Sequence, residues 1–279
     1  MEKMPIIKPK YVTDIEALCK WARIEDPDDR KRMAELAREA ESIGGAVAAI
    51  SSDDTRRDAA RGAHTNADED TRRGAARCAR TNADEDASAG ADGRAAAVYG
   101  SCVVDRISGD DVYIGKVKFN ARPLSRLFAE GMTVYPYVAT CGPNMAAHGK
   151  TFTDPLEQYW WDMIMQGAVG HARTALFEAV AQAVGYEPKT VSPGSIQLWP
   201  ISNQPALFSL IGDVKSMIGV TIAESFLMLP LKSVSGIFFP GSGGFTHNCC
   251  ICERKDCQGR RAPFDPDLKE QLEGGAKMI

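Results

Sequence analysis

Residues 154–185 read DPLEQYWWDMIMQGAVGHARTALFEAVAQAVG, a run that marks itself as a helix at both ends. Asp154 suits the cap because a carboxylate accepts from the free N–H groups of the first turn. Pro155 suits that turn because it has no N–H to lose, and Glu157 follows three residues after the cap. Leu156, Trp160, Ile164, Ala168, Ala172, Leu176, Val180 and Val184 then follow near helical spacing, and Gly185 supplies the stop. At 1.5 Å per residue the run spans about 45 Å, enough for the main helix of a domain. Trp160 and Trp161 are expected in the core, and His171 is expected to be an ordinary satisfied histidine rather than a ligand.

Upstream, 98–107 and 112–119 are β-rich runs around Ser108-Gly109-Asp110-Asp111, a hairpin signal. Residues 123–130 suit a short helix, and 132–140 (MTVYPYVAT) a strand. Pro136 is expected to place part of that strand at an edge or bulge, because proline cannot donate to a ladder. Downstream, Ser192-Pro193-Gly194-Ser195 reads as a turn, 205–214 as a helix, and 220–229 and 233–239 as strands. Helices interspersed with locally paired strands imply an α+β domain over 95–247. At the start of the chain, residues 13–16 can cap a short helix through Trp21. A second helix over 27–42 puts Met33, Leu36 and Ala37 on one face, giving an N-terminal helical segment over 1–50.

Between these parts the composition breaks. Residues 55–70 and 71–86 are tandem copies, TRRDAARGAHTNADED and TRRGAARCARTNADED. Alanine is nearly their only apolar side chain, so they bury too little to offset the entropy of ordering; a disordered linker is expected over 51–94. The chain has 279 residues and a net charge of -4, against the basic face of a nucleic-acid binder. No apolar run approaches membrane length and no leader pattern opens the sequence, so a cytoplasmic protein is expected. Its eight cysteines are read as thiols or metal ligands.

Four cysteines crowd into 249–257, within a tail expected over 248–279. The spacing Cys249-x2-Cys252-x4-Cys257 lets one loop aim three thiolates at one centre, and Cys141, at a strand end, is the candidate fourth ligand. Cys102 and His247 are weaker candidates. Arg254, Lys255, Arg260 and Arg261 would offset the charge of such a centre. A [4Fe–4S] cluster, structural zinc and free thiols all remain open for this tail.

Residues 218–236, IGVTIAESFLMLPLKSVSG, resemble the reactivation (activation) domain of vitamin B12-dependent methionine synthase, which carries an E-S-x-x-M-x-P-x-x-S-V-S-G run. The ATCG strand end at 139–142, the long helix and the SPG turn fall in the same order. The resemblance implies a twisted antiparallel sheet with flanking helices and a domain that caps a corrinoid (cobalamin) held by a partner protein or methyltransferase. Glu224, Ser225, Met228, Pro230, Ser233, Ser235 and Gly236 are the expected corrinoid interface. Small residues and hydroxyls suit a flat partner surface over an amide-fringed disc; the plainer alternative is a hairpin whose serines satisfy their own backbone. Thr190 and Ser195 stand where the family's turn has Arg and Tyr, so S-adenosylmethionine is expected to bind weakly or not at all. With the cysteine tail, this implies a reductive activator that passes an electron from a low-potential ferredoxin or flavodoxin to Co(II). The alternatives are a zinc-holding adaptor and a split methionine synthase subunit. With no G-x-x-x-x-G-K-[ST] motif, ATP-driven activation through a P-loop is not expected.

Overall fold

In the computed structural model, which describes residues 4–9, 11–44, 92–196, 199–241, 244–257 and 259–273, the chain opens with strand β1 (Ile6–Ile7). Helices α1 (Ile15–Ala22) and α2 (Pro27–Gly44) follow. Asp14 caps α1 by accepting from Ala17 N at 2.9 Å, and α2 buries Met33, Leu36 and Ala37 as its spacing requires. The tandem repeats, and with them nearly all of the linker expected over 51–94, lie outside the described residues.

The two β-rich runs each divide at a glycine. The first gives β2 (Ala96–Tyr99) and β3 (Cys102–Ser108), the second β4 (Asp111–Ile114) and β5 (Val117–Asn120). Gly115 and Lys116, with φ of 51° and 72°, form the left-handed turn between β4 and β5. After α3 (Arg122–Leu127) comes β6 (Thr133–Thr140), which is central and not an edge. Its Pro136 is tolerated because of a gap on one side. β2 pairs with β6 only as far as Tyr99↔Tyr137, and β3 takes over at Cys102↔Val134. Pro136 O accepts from Gly100 N at 2.9 Å in that gap, so the missing N–H faces a place where no ladder bond is required.

Helix α4 (Pro143–His148) leads to the long helix, α5 (Pro155–Val184), which keeps the expected ends: Asp154 accepts from Leu156 N and Glu157 N, and Gly185 closes it at φ 77°. Strand β7 (Lys189–Val191), α6 (Gln204–Ile211) and α7 (Val214–Ile218) follow. The expected strand over 220–229 is instead a small two-stranded hairpin, β8 (Thr221–Ile222) with β9 (Met228–Leu229), because the chain reverses at 223–227. Ala223 N and Phe226 N bond Leu227 O and Ala223 O there, and Phe226 adopts φ 64°. Strand β10 (Ser233–Phe239) and helix α8 (Pro266–Glu273) complete the fold.

All pairings are antiparallel. β10 sits between β6 and β7, in register from Ser233↔Thr140 to Phe238↔Tyr135 on one side and from Ile237↔Val191 to Phe239↔Lys189 on the other. The protein is thus an α+β domain, an antiparallel sheet flanked by helices. Side chains alternate across the sheet with period two. Ala97, Tyr137, Ala139 and Phe238 pack under α5 against Ala172, Leu176 and Val180. Val98, Val138, Ile237 and Phe239 face the opposite core with Trp199, α6 and α7. The N-terminal helices cover the first half of α5 around Trp161. Phe245, Cys250, Ile251, Leu268 and Leu272 belong to the same core as Ile237 and Phe239, so the tail is an integral part of the domain. Among the described residues no helix is long and apolar enough to cross a membrane.

Two glycines respond oppositely to an added methyl group. A Cβ at Gly236 would lie 2.6 Å from Val191 O, whereas one at Gly170 in α5 meets nothing within 4 Å. Gly236→Ala is expected to cost about 1–3 kcal/mol through overpacking. Gly170→Ala is expected to stabilise by up to about 1 kcal/mol through helix propensity. Urea unfolding of both variants measures this; a neutral Gly236→Ala would show that β10 and β7 can separate.

Candidate functional site

The SPG turn, β10, the β8–β9 hairpin, one face of α5 and the cysteine tail meet around a groove of about 590 Å³. Its floor is helical: Gln166, Gly170 and Arg173 are four and three residues apart and so share one face of α5. One wall is the turn, where Gly194 takes φ 72° and donates to Trp199 O at 2.8 Å. Leu227, Met228 and Leu231 form the opposite lip.

The tail is tied to this wall from both sides. Asn248 donates from Nδ2 to Ser192 O at 3.1 Å and accepts from Ser192 N at 3.3 Å, while Thr190 N donates to Thr246 O at 3.0 Å. The cysteine loop is held closed by a guanidinium. Arg260 donates to the carbonyls of Cys249 at 3.1 Å, Cys252 at 3.1 Å and Ala262 at 3.2 Å, and also to Arg254 O. A planar cation with several donors can gather carbonyls that would otherwise diverge.

Each expected site residue has a definite place. Ser233, Ser235 and Gly236 are buried in β10 between two neighbouring strands and present no flat exposed surface, which corrects the expected docking face. Ser235 Oγ donates to Gln204 Oε1 at 2.7 Å; Ser233 Oγ donates to Pro230 O at 2.7 Å and lies 2.9 Å from Thr140 Oγ1. Both serines line the groove from inside. A bulky residue at Gly236 would break the sheet before it met a partner. Met228 and Pro230 are half-buried. The exposed part of the signature run is its tip: Glu224, Ser225, Phe226 and Leu227, with Leu229 and Leu231 beside it, Leu231 at 68% exposure.

The four expected ligands do not converge. Cys249 and Cys252 line the groove, and Cys257 is half-exposed beyond it. Cys141 is fully buried in a different cluster with Trp161 and Met145, which no tail residue joins. Burial pushes its thiol up to about 12, so it stays protonated. Among the described residues no three His, Cys, Asp or Glu side chains are grouped as a metal site. Cys250 turns to the core. Burial pushes its thiol up, but hydrogen bonds from Thr246 and the backbone around His247 outweigh this and leave it lowered.

Arg173 was not singled out by sequence, because one arginine on a long helix reads as a solvated residue; its seven-residue offset from Gln166 and three-residue offset from Gly170 was the available signal. It enters the groove from below and Arg261 enters from the tail. Burial, then Arg261, make its charge harder to hold. Thr190 is buried with its hydroxyl 3.0 Å from Tyr137 OH.

No family model matches the chain, and no curated protein gives a significant match. Among solved structures the chain is similar to one described as the crystal structure of the MetH reactivation domain bound to AdoHcy. The identity is 14% and the TM-score 0.46, covering 88% of this chain and 81% of that one.

The contrast among thiols is open to direct measurement. At about pH 8, Cys141 lies roughly four units below its titration point and is buried, so it is expected to resist alkylation in the folded protein. Cys249, Cys252 and Cys257 are expected to label readily. Mass spectrometry of briefly alkylated protein reads the pattern, and labelling of Cys141 at the rate of Cys257 would contradict this placement.

Proposed function

We propose that the protein is a stand-alone member of the B12-dependent methionine synthase activation family, serving a corrinoid-bearing methyltransfer partner as a capping activator. The observation that carries this is the groove itself. It gathers the signature run, the SPG turn and Cys249 with Cys252, three separate segments of the chain, at one surface. A corrin ring is a broad, largely apolar disc fringed with amides. The exposed tip offers matching chemistry: Phe226, Leu227, Leu229 and Leu231 for apolar contact, Glu224 and Ser225 for polar contact at the rim. Met228, Pro230, Ser233, Ser235 and Gly236 act behind the tip, by packing and hydrogen bonding it against β6 and α6.

In this proposal the tail supports the reductive half. A cluster held by Cys249, Cys252 and Cys257 would supply one electron to Co(II), received from a ferredoxin or flavodoxin. As placed, these thiols do not make a ligand set, and Cys141 is too buried and too strongly protonated to complete one. The residues therefore favour the capping role over the redox role. A second reading is a non-catalytic corrinoid-protein adaptor with structural zinc, in which the hydrogen bonds from Arg260 to Cys249 O and Cys252 O help to shape the cysteine loop.

Two measurements separate these roles. Leu227→Asp and Leu231→Asp change exposed side chains, so the fold is expected to survive while affinity for a corrinoid-bearing protein falls about tenfold or more. Unchanged affinity in both would remove the tip from the interface. Anaerobically purified protein containing iron and sulfide in similar amounts, both lost in Cys257→Ala, would support the electron relay; zinc without sulfide would support the adaptor.

A further inference from the structure

Several arginines of the described surface have carboxylate partners: Arg30 pairs with Glu16, Arg32 with Glu157 and Arg122 with Asp110. Arg173 and Arg261 differ. Both line the groove, neither pairs with a carboxylate among the described residues, and no Asp or Glu lines the groove with them. They sense each other as like charges, and the half-buried Arg173 also carries a desolvation cost. Folding bears that cost, which an anion placed between the guanidiniums would relieve through charge-assisted hydrogen bonds. His247 adds a second sign of an absent ligand: it lines the same groove, and its Nδ1 is buried with no hydrogen-bond partner. Gly170 leaves the helical floor open, and Ile201 and Met228 provide an apolar wall.

We propose that the groove binds a small molecule carrying a phosphate or carboxylate group, which Arg173 and Arg261 read together while its body lies along the apolar wall. The proposal rests on the groove being the functional site but not on the docking of a corrinoid-bearing partner. Because Arg261 belongs to the tail and Cys249 and Cys252 line the same space, occupancy also covers those thiols.

Calorimetric titration of the full chain with inorganic phosphate and with succinate, at constant ionic strength so that screening stays fixed, tests the site. Saturable binding of at least one probe is expected at millimolar concentration or below. It should weaken about tenfold or more in both Arg173→Gln and Arg261→Gln, with partial recovery in Arg173→Lys. Alkylation of Cys249 and Cys252 should slow when the probe is bound. Binding of phosphate alone assigns a phosphorylated ligand, and binding of succinate alone a carboxylate; each supports the site. Absence of saturable binding by either probe, or binding that survives both glutamine variants, overturns it. Arg261 is exposed, so Arg261→Gln decides the matter even where Arg173→Gln fails to fold. Loss of partner binding in the tip variants leaves this outcome unaffected, so the two proposals fail separately.

Discussion

The insertion of β10 between β6 and β7 is the constraint on which the rest of the molecule depends. Six consecutive register pairs join β10 to β6, and three more join it to β7. At its middle, Gly236 brings the β7 backbone so close that even a methyl group would collide with Val191 O. That close approach places Ile237 and Phe239 in one core and Phe238, stacked on Tyr137 at 4.3 Å, in the other. Without β10, β7 loses its strand partner, and the SPG turn that follows it has nothing to position it.

The same insertion builds the groove. Ser235 reaches Gln204 on α6, Ser233 reaches Thr140 at the end of β6, and the chain just before β10 carries the exposed apolar tip. On the far side, Asn248 fastens the tail to the turn and Arg260 closes the cysteine loop. The tail is thereby held by neutral and charge-assisted hydrogen bonds and by Phe245, Ile251, Leu268 and Leu272 in the core, so its shape has a source independent of any metal.

A surface of this kind separates two tasks. Apolar residues at 226, 227, 229 and 231 suit contact with a large flat partner, whereas the two guanidiniums that line the groove suit a small charged one. The hydroxyls of Ser233 and Ser235 that looked available for a partner are already occupied by protein acceptors.

Local chemistry alone determined the long helix, its Asp154 cap and its Gly185 stop, and likewise α1, α2 and the strand at 233–239. Each of these depends on neighbours within about four residues or on a simple alternation. The α+β class followed from their order. The centrality of β6 was not legible, because the penalty for Pro136 depends on where β2 ends and β3 begins. Nor was the burial of Ser233 and Ser235, whose partners lie 93 and 31 residues away. Cysteine spacing brought Cys249 and Cys252 to one groove, but it said nothing of Cys141, which the packing around Trp161 carries into another core. Arg173 and Arg261 line one groove only because the fold brings α5 and the tail together there, and spacing along the chain carries no record of which distant side chains will meet.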